Sequence, residues 1–380
     1  MKKITPVYAG ENKGNAMKYI CSRCGQPEAT STRKANCACG GLWDLEYQPP
    51  AFDLSLVDQD TWSLFRYRAF LPVEGERWRD LSLGEGMTPV VPFDEDVLLK
   101  MEYCMPTLSF KDRGAAVLIS HCKSIGIEAV IQDSSGNAGN SIAAYSGKAG
   151  IDCEIFVPEG TSSKKIAMIQ SHGALVSVIP GNRDACADAC REAVAQTGTY
   201  YASHVYNPFF YEGTKTYIYE VYEQLRRMPR HIFIPLGNGT LFIGVIKALE
   251  HLLISGVISE MPRIVAVQSE HCAPLAKAVS QHQSQPARIA PAPTLAEGIA
   301  IGEPMRGEAI LRLIYKYQIE VITAPEERIL PARAALAEKG IYCEHTTAAT
   351  YAAYLLYCER HGKTPDSLLP MCGAGLKSDQ

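Results

Sequence analysis

The chain has 380 residues, 47% of them apolar and 21% charged, with a formal net charge of −4. At roughly 100–200 residues per domain this length predicts two or three domains, and the composition excludes a disordered chain or a fibrous repeat. No bulk basic field is present to hold nucleic acid or an acidic membrane, and 13 cysteines, an odd number, cannot all pair internally as disulfides.

In chain order, residues 1–19 place two lysines ahead of a polar stretch with no apolar core, so no secretory signal is predicted. The most apolar later stretch, Leu241 to Ile258, is interrupted by Lys247, Glu250 and His251 and is a poor membrane span. Together these predict a cytoplasmic protein whose cysteines are thiols or metal ligands.

The first fifty residues hold Cys21-Ser-Arg-Cys24 and Cys37-Ala-Cys39 in little apolar surrounding. Such a segment cannot build a core unaided, and a metal supplies the missing folding energy. Two thiolate pairs separated by about 12–20 residues suit a structural tetrahedral zinc, with Cys21, Cys24, Cys37 and Cys39 as ligands. The second pair departs from the usual C-x-x-C: Asn36 stands where the cysteine belongs, and Cys37 comes one step late. Reduced thiols without metal remain the plainer alternative. Gln48 to Glu85, broken by Pro49 and Pro50, reads as a linker with helix and loop covering the main body.

From about residue 97 short β-branched runs alternate with Ala-rich helical stretches. Strands are predicted at 128–132, 153–157, 175–179, 199–203, 231–235 and 263–268, and helices at 141–150, 163–172, 183–196, 212–227 and 241–254. Such alternation predicts an α/β fold of mainly parallel sheets with helices on both faces.

Ligands of such sheets bind at the carboxyl ends of strands, and three segments there carry unusual residues. Lys111 follows an extended segment and opens an Ala-rich helix, where the positive helix end favours a neutral, nucleophilic amine. By itself it is also an ordinary first-turn lysine. Ser134, Ser135, Gly136, Asn137 and Ala138 follow a strand and open a helix, a backbone cradle for a carboxylate or simply a capped turn. Gly237, Asn238, Gly239 and Thr240 do the same after residues 231–235, and two glycines let a phosphate approach the backbone. A lysine, a carboxylate cradle and a phosphate cradle are what a pyridoxal phosphate enzyme of amino-acid metabolism requires.

The chain resembles the fold-type II, tryptophan synthase-like pyridoxal phosphate enzymes, and within them threonine synthase. The matching segments are Gly84-Glu-Gly-Met-Thr-Pro89, Lys100-Met-Glu102, Pro106-Thr-Leu-Ser-Phe-Lys-Asp-Arg113, Ser134-Ser-Gly-Asn-Ala-Gly139, Asn207-Pro208 with Glu212-Gly-Thr-Lys215, Gly237-Asn-Gly-Thr-Leu241 and Cys372-Gly-Ala-Gly-Leu-Lys377, in family order. The resemblance implies that Lys111 is the Schiff-base lysine and then the base for the α-proton. It implies Asn137 at the cofactor's phenolic oxygen, and Ser134, Ser135, Gly136 and Ala138 at the substrate carboxylate. Gly237, Asn238, Gly239 and Thr240 would hold the cofactor phosphate, and Cys372 would face the pyridine nitrogen. It further implies a larger cofactor-binding domain (51–109 and 213–380), a small mobile domain (110–212), a ribbon over 1–50, a small amino-acid substrate and a homodimer.

The sequence departs from the threonine synthase pattern at several positions. Cys372 replaces Ser or Thr, Ala138 replaces Thr, Phe210 replaces Arg, and Glu344-His345-Thr-Thr-Ala-Ala349 replaces Glu-Pro-Ala-Ser-Ala-Ala. Ala138 and Phe210 remove polar groups that suit a phosphorylated substrate; Lys164, Lys165 and Arg183 are candidates to replace them, or are solvated helix faces. The reaction implied is removal of the α-proton with loss of a β- or γ-leaving group: threonine formation from O-phosphohomoserine. Its rivals are β-replacement or elimination, as in cysteine or cysteate synthases and serine or threonine ammonia-lyases, and a non-catalytic interaction protein on the same fold.

Overall fold

A computed structural model describes residues 17–377. The reading of the N-terminus as lacking a signal lies mostly outside the described residues. The described part starts with a three-stranded antiparallel sheet: β1 (Lys18–Cys21), β2 (Pro27–Ala29) and β3 (Trp43–Glu46), in the order β2-β1-β3. Residues 48–85 then run over the body as three 3-10 turns, Leu54–Leu56, Leu64–Phe70 and Arg77–Asp80, and not as an α-helix. Prolines 49 and 50 precede them, and Asp53 and Ser63 cap turns too short to propagate.

The body is built on two sheets. Its elements run β4 (Val90–Pro92), β5 (Val97–Lys100), α1 (Lys111–Ser124), β6 (Ala129–Gln132), α2 (Asn137–Ala149), β7 (Asp152–Pro158), α3 (Ser163–Gln170), β8 (Leu175–Ile179), α4 (Arg183–Thr197) and β9 (Tyr200–Tyr201). They continue through α5 (Pro208–Thr214), α6 (Thr216–Leu225), β10 (His231–Pro235), α7 (Thr240–Ile254), β11 (Arg263–Ser269), α8 (Pro274–Ser280), α9 (Gly307–Tyr317), β12 (Glu320–Ala324), α10 (Glu326–Glu338), α11 (His345–His361) and β13 (Ser367–Pro370). A four-stranded sheet, β8-β7-β6-β9, is parallel throughout. A six-stranded sheet, β12-β11-β10-β13-β5-β4, is parallel except for its edge strand β4. The central strands are buried along their length, as β10 and β13 show, because helices cover both faces.

The predicted elements differ from the observed ones mainly at their ends. The helix expected from 141 begins at Asn137, because the Ser-Ser-Gly turn feeds straight into it with Gly136 as its cap. The strand expected over 199–203 pairs only at Tyr200–Tyr201. The helix expected over 212–227 is two helices. The first starts early because the Asn207 side chain accepts from Phe209 N at 3.0 Å and Pro208 occupies the first helical position.

Beneath this arrangement lies a closed set of buried charges. Lys100, Glu102, Arg113 and Glu220 have 0% side-chain exposure. Arg113 donates Nε to Glu102 Oε2 at 2.7 Å and Nη1 to Glu220 Oε1 at 2.6 Å, and Lys100 Nζ meets Glu220 Oε2 at 2.7 Å. Thr88 Oγ1 donates to Glu102 at 2.7 Å, and Met87 N to Glu220 at 2.8 Å. Two cations thus balance two anions. Burial alone would raise the Glu220 carboxyl, but the Arg113 and Lys100 charges bring it down to about 2. The set ties β5, α1 and α6 together and so fixes the start of α1.

Helices α1 and α5 cross backbone to backbone. A Cβ on Gly213 would lie 2.0 Å from Arg113 O, and one on Gly114 would lie 2.3 Å from the Phe210 ring. The Phe210 side chain is therefore locked in the core, with 0% exposure.

Replacing Arg113 with Met strands the buried Glu102 and leaves Glu220 with Lys100 alone. The expected cost is about 3–5 kcal/mol, read as a fall in the urea unfolding midpoint. An unchanged midpoint would show that the network is not holding α1.

Candidate active site

Lys111 is the first residue of α1. Its Nζ lies 2.8 Å from Thr240 Oγ1, the first residue of α7, and 4.5 Å from the Phe110 ring centroid. Its amine is brought down to about 8. Burial is the main cause; the Cys372 and Glu344 groups oppose it and the Arg183 charge adds to it. The sequence points to the helix end as the cause, but desolvation is the larger effect.

The segment between β10 and α7 carries the two glycines at close contacts. A Cβ on Gly237 would come within 3.1 Å of Ile299 Cα and 3.2 Å of Gly298 O. Gly239 has φ +79°, and its Cβ would lie 2.6 Å from Ile310 Cδ1. The N-terminus of α7 has no side-chain cap, so its first N–H groups are free to hold an anion beside the lysine. Asn238 is half-buried between them.

The second turn, between β6 and α2, closes as tightly. A Cβ on Gly139 would lie 1.8 Å from Ser134 O. Ser134, Ser135, Gly136 and Asn137 are half-buried, and Gly136 caps α2 without a side-chain bond. Ala138 is 2% exposed, so only its backbone is available to a ligand.

The Asn137 side chain has a protein partner: Nδ2 donates to Glu344 Oε2 at 2.9 Å. Glu344 precedes α11 and is pinned where its backbone N donates to Gly373 O at 2.9 Å. A Cβ on Gly373 would lie 2.3 Å from Glu344 Oε2. Burial raises the Glu344 carboxyl, and Asn137, Lys377 and Lys111 oppose that rise. Cys372 is 1% exposed; its N donates to Thr347 Oγ1 and its carbonyl accepts from Phe110 N, both at 3.0 Å. Burial pushes its thiol well above the usual range, so it stays neutral.

The structure thus brings together Lys111, Thr240, Asn137, Glu344 and Cys372. It does not bring Phe210 to a polar role: the ring lies 5.9 Å from Lys111 Nζ as an apolar wall. Lys164, Lys165 and Arg183 are not merely solvated. They reach from α3 and α4 to Leu376 O at 2.6 Å, Glu297 Oε2 at 2.9 Å and Ala300 O at 3.4 Å.

Sequence reasoning missed Lys377, whose Nζ donates to Thr107 O at 2.7 Å between Asp112 and Glu344. It also missed His204, half-buried beside Phe210. A histidine three residues before the Asn-Pro cap was the available signal.

In the N-terminal sheet the four cysteine Sγ atoms all lie within 4.8 Å of one another. Cys21 meets Cys39 at 3.4 Å and Cys24 meets Cys37 at 3.7 Å. The backbone N–H groups of Arg23 and Cys24 point at Cys21 Sγ. The one-residue shift of the second pair therefore does not prevent convergence.

A family model described as pyridoxal-phosphate dependent enzyme matches residues 81–373. The chain belongs to that family. It is 29% identical over 351 residues to the threonine synthase of Methanocaldococcus jannaschii, covering 88% of this chain and 86% of that one. With the threonine synthase of Mycobacterium tuberculosis the identity is 32% over 298 residues, covering 76% and 80%. Among solved structures, the processed form of threonine deaminase isoform 2 from Solanum lycopersicum matches with TM-score 0.69, 20% identity and 86% of each chain. Serine racemase from Dictyostelium discoideum matches with TM-score 0.60, 22% identity, 74% of this chain and 87% of that one. These likenesses fix the fold as that of the fold-type II enzymes.

The residues fit the family's cofactor. An amine brought down to about 8 suits an aldehyde, and the uncapped α7 terminus with Gly237 and Gly239 suits a phosphate, 2.8 Å apart at their nearest side-chain atoms. An amine with that pKa is neutral in about one molecule in ten at pH 7. The rate of pyridoxal phosphate capture by cofactor-free protein should therefore rise about tenfold per pH unit below 8 and level off above it. A rise continuing past pH 10 would show an unperturbed lysine.

Proposed function

We propose that this protein is a lyase that removes the α-proton of a small amino acid and expels a β- or γ-leaving group. The carrying observation is the sharing of one site by Lys111 and the uncapped α7 terminus. Bound there, pyridoxal phosphate supplies an electron sink that acidifies the substrate's α-proton. Gly237, Asn238, Gly239 and Thr240 would hold its phosphate, and the neutral fraction of Lys111, enlarged by burial, would accept the proton. The N–H groups of the turn at Ser134, Ser135, Gly136 and Ala138 hold the substrate carboxylate. Cys372, a neutral thiol, would offer the ring nitrogen only a weak partner, which would disfavour transamination.

The threonine synthase relatives support a finer reading: O-phosphohomoserine and water give threonine and phosphate. One observation favours a second reading, β-elimination or replacement on a serine-type substrate. Where the threonine synthase pattern has Arg, the buried Phe210 ring offers a phosphate nothing. We further propose a structural zinc on Cys21, Cys24, Cys37 and Cys39, a small unit over 110–212 that moves against 51–109 and 213–380, a homodimer and a cytoplasmic location.

Holoenzyme should release phosphate and form threonine from O-phosphohomoserine, and Lys111→Ala should abolish both turnover and the visible cofactor band. Turnover of O-phosphoserine, O-acetylserine or serine in its place would establish the second reading. The purified protein should carry about one zinc, and Cys21→Ser should bring this near zero with the cofactor band intact. Unchanged metal content would refute the site.

A further inference from the structure

His204 stands just beyond the end of β9, beside the end of β6, where the Ser134–Ser135 turn begins. Gln132, the last residue of β6, is fully buried, and its Nε2 lies 3.1 Å from His204 Nδ1. In this amide orientation, which leaves the buried Gln132 Oε1 without a partner, the amide nitrogen donates to Nδ1 and the ring proton is on Nε2. Among the described residues Nε2 makes no hydrogen bond, and the atom keeps accessible surface. The imidazole sits 5.8 Å from the Phe210 ring, which is itself 5.9 Å from Lys111 Nζ. On its Phe210 side the lysine's surroundings are thus an apolar ring with the His204 imidazole behind it. Burial first, then the Lys111 and Arg183 charges, keep the ring uncharged.

We propose that His204 is a specificity-determining residue whose Nε2–H, oriented by Gln132, hydrogen-bonds the leaving-group oxygen of the substrate side chain. This rests on the lyase reading above. The turn at 134–138 supplies the donors for the α-carboxylate, which leaves the His204 donor for the side chain. In the step itself Lys111 takes the α-proton; for a β-leaving group the freed pair forms the Cα–Cβ double bond as the carbon–oxygen bond breaks with its pair passing to oxygen, and for a γ-leaving group a β-proton is removed as well and its pair forms the Cβ–Cγ double bond as the γ-carbon–oxygen bond breaks in the same way. His204 keeps its proton and stabilises the charge growing on that oxygen. A single neutral donor against a phenyl wall suits an acyl ester or a hydroxyl better than a phosphate dianion, which calls for cationic partners.

The test uses holoenzyme with O-phospho-L-homoserine, O-acetyl-L-homoserine and O-acetyl-L-serine, and L-2-aminobutyrate as a ligand without a leaving group. His204→Leu should lower kcat/KM at least tenfold on each substrate the wild type turns over, and His204→Gln, which keeps a donor, should recover most of it. Gln132→Leu should act in the same direction more weakly. The affinity for L-2-aminobutyrate, read from the cofactor spectrum, should stay within twofold in all variants. If it falls as far as kcat/KM, His204 serves the carboxylate or the fold and the proposal is overturned. Unchanged kcat/KM in His204→Leu also overturns it and leaves the lyase reading standing. Wild-type enzyme inert toward every member of the panel and toward O-phospho-L-serine and L-serine would remove the lyase reading, and this inference with it.

Discussion

A pair of buried carboxylates facing a pair of buried cations holds the first turn of α1 in place. Arg113 is two residues from Lys111, and its guanidinium is bound on both sides by Glu102 and Glu220. An isolated charge at this depth would be prohibitively expensive, so each member requires the other three. The network therefore acts as a geometric constraint more than as a source of net stability. It sets the height at which Lys111 leaves the helix, and from that height the amine meets Thr240 across the cleft.

The consequences spread through adjacent aromatic residues. Phe209 and Phe210 follow each other on α5 yet face different neighbours. Phe209 stacks on His121 of α1 at 3.7 Å and meets Tyr19 of the ribbon at 6.1 Å. Phe210 fills the space that Gly114 leaves open and walls the lysine. Arg306 fastens the same region. It bonds Trp43 O at 2.6 Å and Asp44 at 2.7 Å in the ribbon, and Val205 O and Tyr206 O at 2.9 Å in the body. The ribbon is thus packed against the elements that frame the site.

Much of this was legible in the residues. The alternation of β-branched runs and Ala-rich stretches reports periodicity, a local property, and it located the strands from 128 to 268 closely. The glycine turns were legible because only glycine fits them. What stayed hidden depends on contacts between distant segments. Nothing local pairs Glu220 with Lys100, 120 residues away, or Asn137 with Glu344, 207 residues away. The split of the 212–227 helix has another reason: the Asn207-Pro208 cap is a local signal, but one of capping chemistry, which apolar periodicity does not report.

The same long-range contacts set the ionisation of the groups gathered around Lys111. Three ionisable groups share the site, and burial moves each toward its neutral form. The Lys111 amine goes down, and the Glu344 carboxyl and Cys372 thiol go up. His204 adds an imidazole driven in the same direction. Glu344 and Cys372 thus lean toward their neutral forms beside a lysine still mostly protonated at pH 7, and in so buried a setting an N–H aimed at a departing oxygen would count for more than it does in water. Phe210 adds an apolar ring 5.9 Å from the lysine nitrogen, with no charge to set against that of the amine.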